Sequence, residues 1–213
     1  MRLAPWTVVL SAILNGAVGA QAAPRERLSP ATQVTLDRLI DSARVAGLPT
    51  TPLVDKVAEG TLKGADDERI VRAVRTLVRE LGSARAALGP SADAAVLGAA
   101  ASALHAGVSE SDLQHMARAG GDAPRAALAS ALVTLVDLVA KQVTVASATH
   151  AIDDLLNHRA NEGQFAALRA DVGRDIAAGR SPEQSLVSRT TAQLRALDPA
   201  SLDVMPRRPP ADP

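Results

Sequence analysis

The chain has 213 residues, 23 basic and 23 acidic side chains, and no cysteine. The absence of cysteine excludes disulfides, thiolate metal sites, a cysteine nucleophile and a lipidated N-terminal cysteine. The balanced charge argues against a general nucleic-acid binder, which needs a basic surplus, and a hydrophobic fraction of 47% is too high for a disordered chain.

Residues 1–22 have the three parts of a secretory signal peptide. Arg2 is the positive region, residues 3–18 are mostly apolar, and the Ala-Gln-Ala run at 20–22 is a cleavage signal of small residues. The apolar run is shorter than the roughly 20 residues that a membrane-spanning helix needs. We therefore expect cleavage before Ala23 rather than a retained anchor, and no transmembrane span in the mature chain.

Residues 23–197 show helical periodicity interrupted by turn signals, which predicts a single all-α domain of about eight to nine short helices. No stretch alternates as a strand would, and the mature chain has no Asn-Gly or Asp-Gly hairpin signal. Residues 198–213 are rich in proline and lack periodicity, so we expect a disordered tail. The predicted helices, in order, cover about 30–46 (with Val34, Leu39, Ile40 and Ala43 facing inward), 51–64, a stretch capped by Asp67, 92–106, a short helix capped by Ser109, 124–141, two helices around Ile152 and Phe165, and one beginning at Ser181-Pro182.

A loose internal repeat accompanies these helices. Glycines at 47, 64, 107 and 179 each precede a capped turn and then an apolar residue six or seven positions on. Their intervals of 17, 43 and 72 residues share no period. Two architectures stay open: an irregular multi-helix bundle, and a short solenoid-like stack of helix pairs.

The best polar cluster in the sequence is His150, Asp154 and His158, which follow one another along one face of a predicted helix. Two imidazoles and a carboxylate suit zinc or another divalent ion. Residues eight apart lie about 12 Å apart along a helix, so one ion cannot reach both histidines, and a second helix would have to supply a ligand such as His105 or His115. The alternative interpretation is a solvated polar face.

Catalytic signatures are absent: the sequence has no G-x-S-x-G, HExxH or Walker loop. No cofactor is predicted, and we expect a protein that is not an enzyme. Four arginines beside the third predicted helix's apolar stripe favour a solvated face, with an acidic partner or anionic lipid as the alternative. They are Arg69, Arg72, Arg75 and Arg79.

Residues 47–89 carry GLP at 47–49, PL at 52–53, EG at 59–60 and KG at 63–64. In these runs the segment resembles exported, alanine-rich α-helical proteins of high-GC bacteria. The resemblance implies a bacterial envelope location, either periplasmic or secreted. It implies no named activity, and it carries over no functional residue.

Together these features predict an exported, non-enzymatic helical protein that contacts another protein of the envelope. The expected contact surface is a groove lined by Leu, Val and Met near Leu113 and Met116. The alternative is a metal-binding protein that uses His150, Asp154 and His158.

Signal cleavage would remove Trp6, which is the only tryptophan of the chain. We expect the exported protein to lack tryptophan fluorescence, and intact-mass measurement should place its N-terminus at Ala23. Strong tryptophan emission from exported material would show instead that the segment is retained.

Overall fold

A computed structural model describes residues 28–120 and 125–198 of the chain. Within these ranges the protein is all-helical and has no strand, as the periodicity predicts. The predicted signal peptide lies outside the described residues, and so does the predicted tail apart from Asp198. The helices are α1 (Pro30–Val45), α2 (Thr51–Leu62), α3 (Asp67–Leu88), α4 (Ala94–His105), α5 (Glu110–Gly120), α6 (Arg125–Ala140), α7 (Val145–Asn157), α8 (Glu162–Ala177) and α9 (Pro182–Leu197).

The described helices form two layers. In one layer each odd-numbered helix contacts the next, from α1 through α3, α5 and α7 to α9. In the other layer α4 contacts α6, and α6 contacts α8. Successive helices such as α3 and α4, or α8 and α9, pack across the layers. Contacts between every second helix are typical of stacked helix pairs, and the described helices form an all-α multi-helix bundle arranged in this way.

Most of these helices end in the same C-terminal backbone motif. The residue after the helix cap adopts a left-handed conformation, and the next N–H bonds the carbonyl five residues back, as Leu48 does to Ala43 at 2.9 Å. Glycine adopts this conformation without steric cost. The left-handed residues in this motif are Gly47, Gly64, Gly107, Gln142, Arg159 and Gly179.

The repeat becomes regular once Gln142 is included. Left-handed residues precede α3, α5, α7 and α9 at positions 64, 107, 142 and 179, at intervals of 43, 35 and 37 residues. Gly47 lies between α1 and α2, inside a helix pair. A repeat identified by glycine alone therefore mixes a turn within a helix pair with turns between pairs. It also misses the turn at Gln142, which takes the left-handed conformation (φ 70°) without being glycine.

Acidic side chains join helices within the odd layer. An Asp67 carboxylate oxygen accepts the Ser29 N–H at 3.1 Å, and Ser29 is the N-cap of α1. At the other end of the stack, Glu183 accepts the N–H of Thr144, the N-cap of α7, at 2.7 Å. Hydrogen bonds from the Ser29 side chain and backbone lower the pKa of Asp67, and the Thr144 N–H lowers that of Glu183. Both carboxylates connect a helix to the second helix before it.

Two sequence assignments need correction. The N-cap of α3 is Asp66, whose carboxylate accepts the Arg69 N–H at 2.7 Å, whereas the predicted cap Asp67 is the first helical residue. Val34 is 50% exposed instead of facing inward. The buried stripe of α1 is Leu36, Ile40 and Ala43, because α1 packs chiefly against α3 and buries one narrow face.

A small residue lets two of the helices approach closely. Gly60 in α2 lies against Ile70 of α3, so a Cβ built on Gly60 would stand 2.7 Å from the Ile70 Cγ1 atom. Ile70 is only 2% exposed and cannot move without disturbing the core. Gly64, four residues later, is a left-handed turn residue with open space around it.

This contact predicts opposite effects of the same substitution at two helical glycines. Gly60→Ala should lower the free energy of unfolding by about 1–3 kcal/mol through overpacking. Gly82→Ala, where a Cβ meets nothing within 4 Å, should raise it by up to about 1 kcal/mol through helix propensity. Urea unfolding followed by circular dichroism at 222 nm measures both. Equal effects in the two variants would contradict the seating role of Gly60.

Candidate functional site

The even layer is open between α2 and α4, and α3 forms the floor of the opening. The resulting cleft has a volume of about 810 Å³. Its floor is apolar and made mostly of small residues, and we call it the α4 groove. The residues that form its base are Ala73, Leu77, Gly98, Ala101 and Val136.

A second cleft of about 510 Å³ lies on the other side of α4, against α6 and α8. Gly98, Ser102 and Val136 line both clefts, so an apolar surface continues across α4. A Cβ added at Gly98 would meet nothing within 4 Å. Val133, on the same surface, is 42% exposed. The α4 face therefore presents apolar area that no described helix covers.

Charge is distributed unevenly along the α3 wall of the α4 groove. Arg69 and Arg72 line it near the start of α3, and Arg72 has no ion-pair partner among the described residues. Glu80 lines it two turns further on, where its carboxylate lies 2.9 Å from Nδ1 of His105 on α4. One part of this wall is thus basic and another acidic.

The α2 wall carries a charge cluster. Hydrogen bonds from Lys56 and Lys63 lower the pKa of Glu59 to about 2, and the Lys56 bond is 2.7 Å long. Glu59 is therefore ionised at any physiological pH. Its charge is compensated locally by the two lysines, so it orders the rim of the groove without making it acidic.

A different cleft, of about 550 Å³, lies in the odd layer between α5 and α7. We call it the α5–α7 cleft. Nε2 of His115 on α5 lies 3.0 Å from a carboxylate oxygen of Asp153 on α7. His150 lines the same cleft one turn before Asp153, together with Thr149 and Asp112. Two imidazoles and two carboxylates from two helices therefore share one cleft.

The structure does not bring His150, Asp154 and His158 together as one set of side-chain ligands. Nε2 of His150 lies 3.5 Å from an Asp154 carboxylate oxygen. His158 is the C-cap of α7, and its Nδ1 lies 2.8 Å from the Asp154 carbonyl oxygen. Of the histidines considered as a partner from another helix, His115 reaches α7 but meets Asp153, while His105 lies beside Glu80. Across the described residues, no three His, Asp or Glu side chains stand together as a ready metal site.

Leu113 and Met116 do not present the exposed side chains expected of a contact surface, although Met116 also lines the α5–α7 cleft. Both side chains are fully buried. They lie one turn apart on α5, a helix that packs against both α3 and α7, so this face belongs to the core. The open apolar surface lies instead at Gly98 of α4 and Val136 of α6, which line both clefts beside α4. Its signal in the sequence is a glycine within the alanine-rich α4, whose alanines at 99–101 are buried.

The most deeply buried carboxylate among the described residues is that of Asp175, and it is structural. Arg189 of α9 donates to both of its oxygens at 2.7 Å, and Arg180 approaches within 3.7 Å. The Arg189 hydrogen bonds hold the pKa of Asp175 below its ordinary value. Because both oxygens are occupied, this carboxylate ties α8 to α9 and is not available to a ligand.

Comparison with protein-family models, with curated proteins and with solved structures finds no match to this chain. In the described ranges, no helix is both long and apolar enough to cross a bilayer.

The Asp175 pair predicts how stability depends on pH. A lowered carboxylate pKa stabilises the fold above the ordinary Asp pKa of about 3.9, and this stabilisation is lost as pH falls through the folded-state value. We expect Asp175→Asn to be less stable than the parent at neutral pH and to lose less stability on acidification. Thermal unfolding at pH 3 to 7 measures this. Asp41→Asn, which breaks an exposed pair with Arg44, is the control and should change little.

Proposed function

We propose that this chain is an exported, non-enzymatic binding module of the bacterial envelope, and that the α4 groove holds a helical segment of a partner protein. The observation that carries the proposal is the open apolar floor between α2 and α4, continued across α4 by Gly98 and Val136. Contiguous exposed apolar surface on a folded domain is typical of a binding site. Localisation and the absence of enzymatic activity rest on the sequence.

The dimensions of the groove suit a short helix. The α4 helix has 12 residues, which corresponds to about 18 Å or three turns. Gly98, which has open space around it, allows the backbone of a second helix to come close, as small-residue helix contacts do. Binding would place a partner helix beside α4, in the open space between α4 and α2.

Charge defines the chemistry of the partner. Arg72 and Glu80 are eight residues apart on α3, or about 12 Å along its axis. A complementary segment therefore carries an acidic side chain opposite Arg72 and a basic one opposite Glu80, with an apolar stripe between them. Such complementarity fixes the orientation of a bound helix and speeds its association.

The test begins by locating the partner segment. A photo-crosslinking amino acid at Thr76, which lines the groove, is compared with one at Thr191, an exposed position on α9. Cross-linked peptides are identified by mass spectrometry after reaction in the native envelope. We expect one reproducible amphipathic segment from Thr76 and none from Thr191, and equal capture at the two positions would contradict the proposal.

The captured segment is then synthesised and its affinity measured by fluorescence anisotropy. Gly98→Leu places a side chain in the open groove and should weaken binding at least tenfold, while the helix itself gains stability. Gly82→Leu is the matched control, because Gly82 is also a helical glycine with open space but does not line the groove. Equal affinity of the two variants would overturn the assignment of the groove.

A further inference from the structure

The α5–α7 cleft contains polar atoms that the protein itself leaves without partners. The second carboxylate oxygen of Asp153 and the hydroxyl oxygen of Thr149 are both shielded from solvent, and neither has a hydrogen-bond partner among the described residues. The Asp153 side chain is only 18% exposed, although it carries a charge. Leaving such acceptors unsatisfied is costly. A cation held by both Asp153 oxygens and the Thr149 hydroxyl would satisfy them.

We propose that the α5–α7 cleft binds a divalent transition-metal ion through His115, His150 and Asp153. Imidazole nitrogen and carboxylate oxygen are ligands that zinc, nickel and copper accept readily. The proposal concerns the odd layer of the fold and is independent of partner binding in the α4 groove.

Two of these ligands lie close to the separation that a metal ion needs. With metal–ligand bonds of about 2.0–2.1 Å at a tetrahedral angle, two ligand atoms lie roughly 3.3 Å apart. Nε2 of His115 and the Asp153 oxygen that also accepts from Asn157 are 3.0 Å apart, so a small separation of the α5 and α7 side chains admits an ion. The direct contact between them is the one expected of such a pair without its ion.

His150 supplies the third ligand by turning. Its side chain is 79% exposed and now faces Asp154 at 3.5 Å, an exposed contact that contributes little. His150 and Asp153 are three residues apart in α7, where side chains of one helix face are neighbours. Rotation from Asp154 toward Asp153 completes a set of three protein ligands, and water or the Thr149 hydroxyl takes a fourth position.

This assignment differs from the set His150, Asp154 and His158 in a way that can be measured. His158 lies at the C-terminal end of α7, where its ring contacts a backbone carbonyl and does not line the cleft. The chain has four histidines, so each ring can be followed separately. In the proposed site His115 and His150 respond to the ion, and His105 and His158 do not.

The experiment is a zinc titration of the metal-free protein. The protein is purified with a tag that contains no histidine, and its own histidines are labelled with ¹⁵N. We expect saturable binding by calorimetry, with ring-nitrogen shifts at His115 and His150 only. His115→Gln and Asp153→Asn should each weaken binding at least tenfold, whereas His158→Gln should leave it unchanged. Zinc should also raise the unfolding temperature of the parent, because it binds the folded state, and not that of His115→Gln.

Several outcomes would overturn the proposal. One is a flat titration with zinc, nickel and copper at neutral pH. Another is loss of affinity in Asp154→Asn and His158→Gln but not in His115→Gln, which would move the ion to the other face of α7. Should Asp153→Asn fail to fold, as judged by circular dichroism, His115→Gln decides the matter, because the His115 side chain is 59% exposed.

Discussion

The fold depends on reversing the chain within a few residues at the end of most of its helices. A left-handed residue ends the helix, and the N–H of the next residue donates to a carbonyl oxygen of the last helical turn. An N-cap residue then begins the following helix. Repetition of this turn places alternate helices in the same layer. Both layers, and the three clefts that they leave, follow from a short-range backbone constraint.

The second constraint is the size of the side chains. With one Phe and no Tyr in the chain, the core is filled by Leu, Val, Ile and Ala, and the helices must lie close together to exclude water. Close packing succeeds around α6, which contacts neighbours in both layers. It is incomplete where α4 presents Gly98 and Ala101, because these residues are too short to fill the space toward α2. The groove is thus a consequence of composition as much as of topology.

The buried and half-buried carboxylates of this protein are of two kinds. In one kind two helices are joined by hydrogen bonds to the carboxylate, and in the other an oxygen is left without a hydrogen-bond donor. Asp175, Asp67 and Glu183 each receive hydrogen bonds from a neighbouring helix, and those bonds explain their lowered pKa values. Asp153 accepts one hydrogen bond, from Asn157 at 3.4 Å, lies 3.0 Å from the His115 ring nitrogen, and keeps a shielded oxygen without a partner. The first kind holds helices together, whereas the second leaves capacity for a ligand. Burial alone would not separate them.

The sequence predicts the helices well because caps, stop signals and apolar periodicity act locally. It fails where the outcome depends on neighbours. Gln142 takes a conformation usually reserved for glycine because the surrounding turn imposes it, so the helix-pair period is hidden. Leu113 and Met116 are buried because α5 packs between two helices, which no local pattern reveals.

The predicted cluster of His150, Asp154 and His158 also shows that local sequence patterns do not reveal contacts between helices. The spacing of His150, Asp154 and His158 places one histidine correctly on α7, but His158 is the C-cap that follows the helix. The expectation of a ligand from another helix stays a prediction. Which carboxylate meets that ligand depends on how α5 and α7 rotate against each other. The structure selects Asp153 for His115, one residue away from the predicted Asp154. A shift of one residue rotates a side chain by about 100° around a helix, and this is enough to move a candidate site from an exposed face into a cleft.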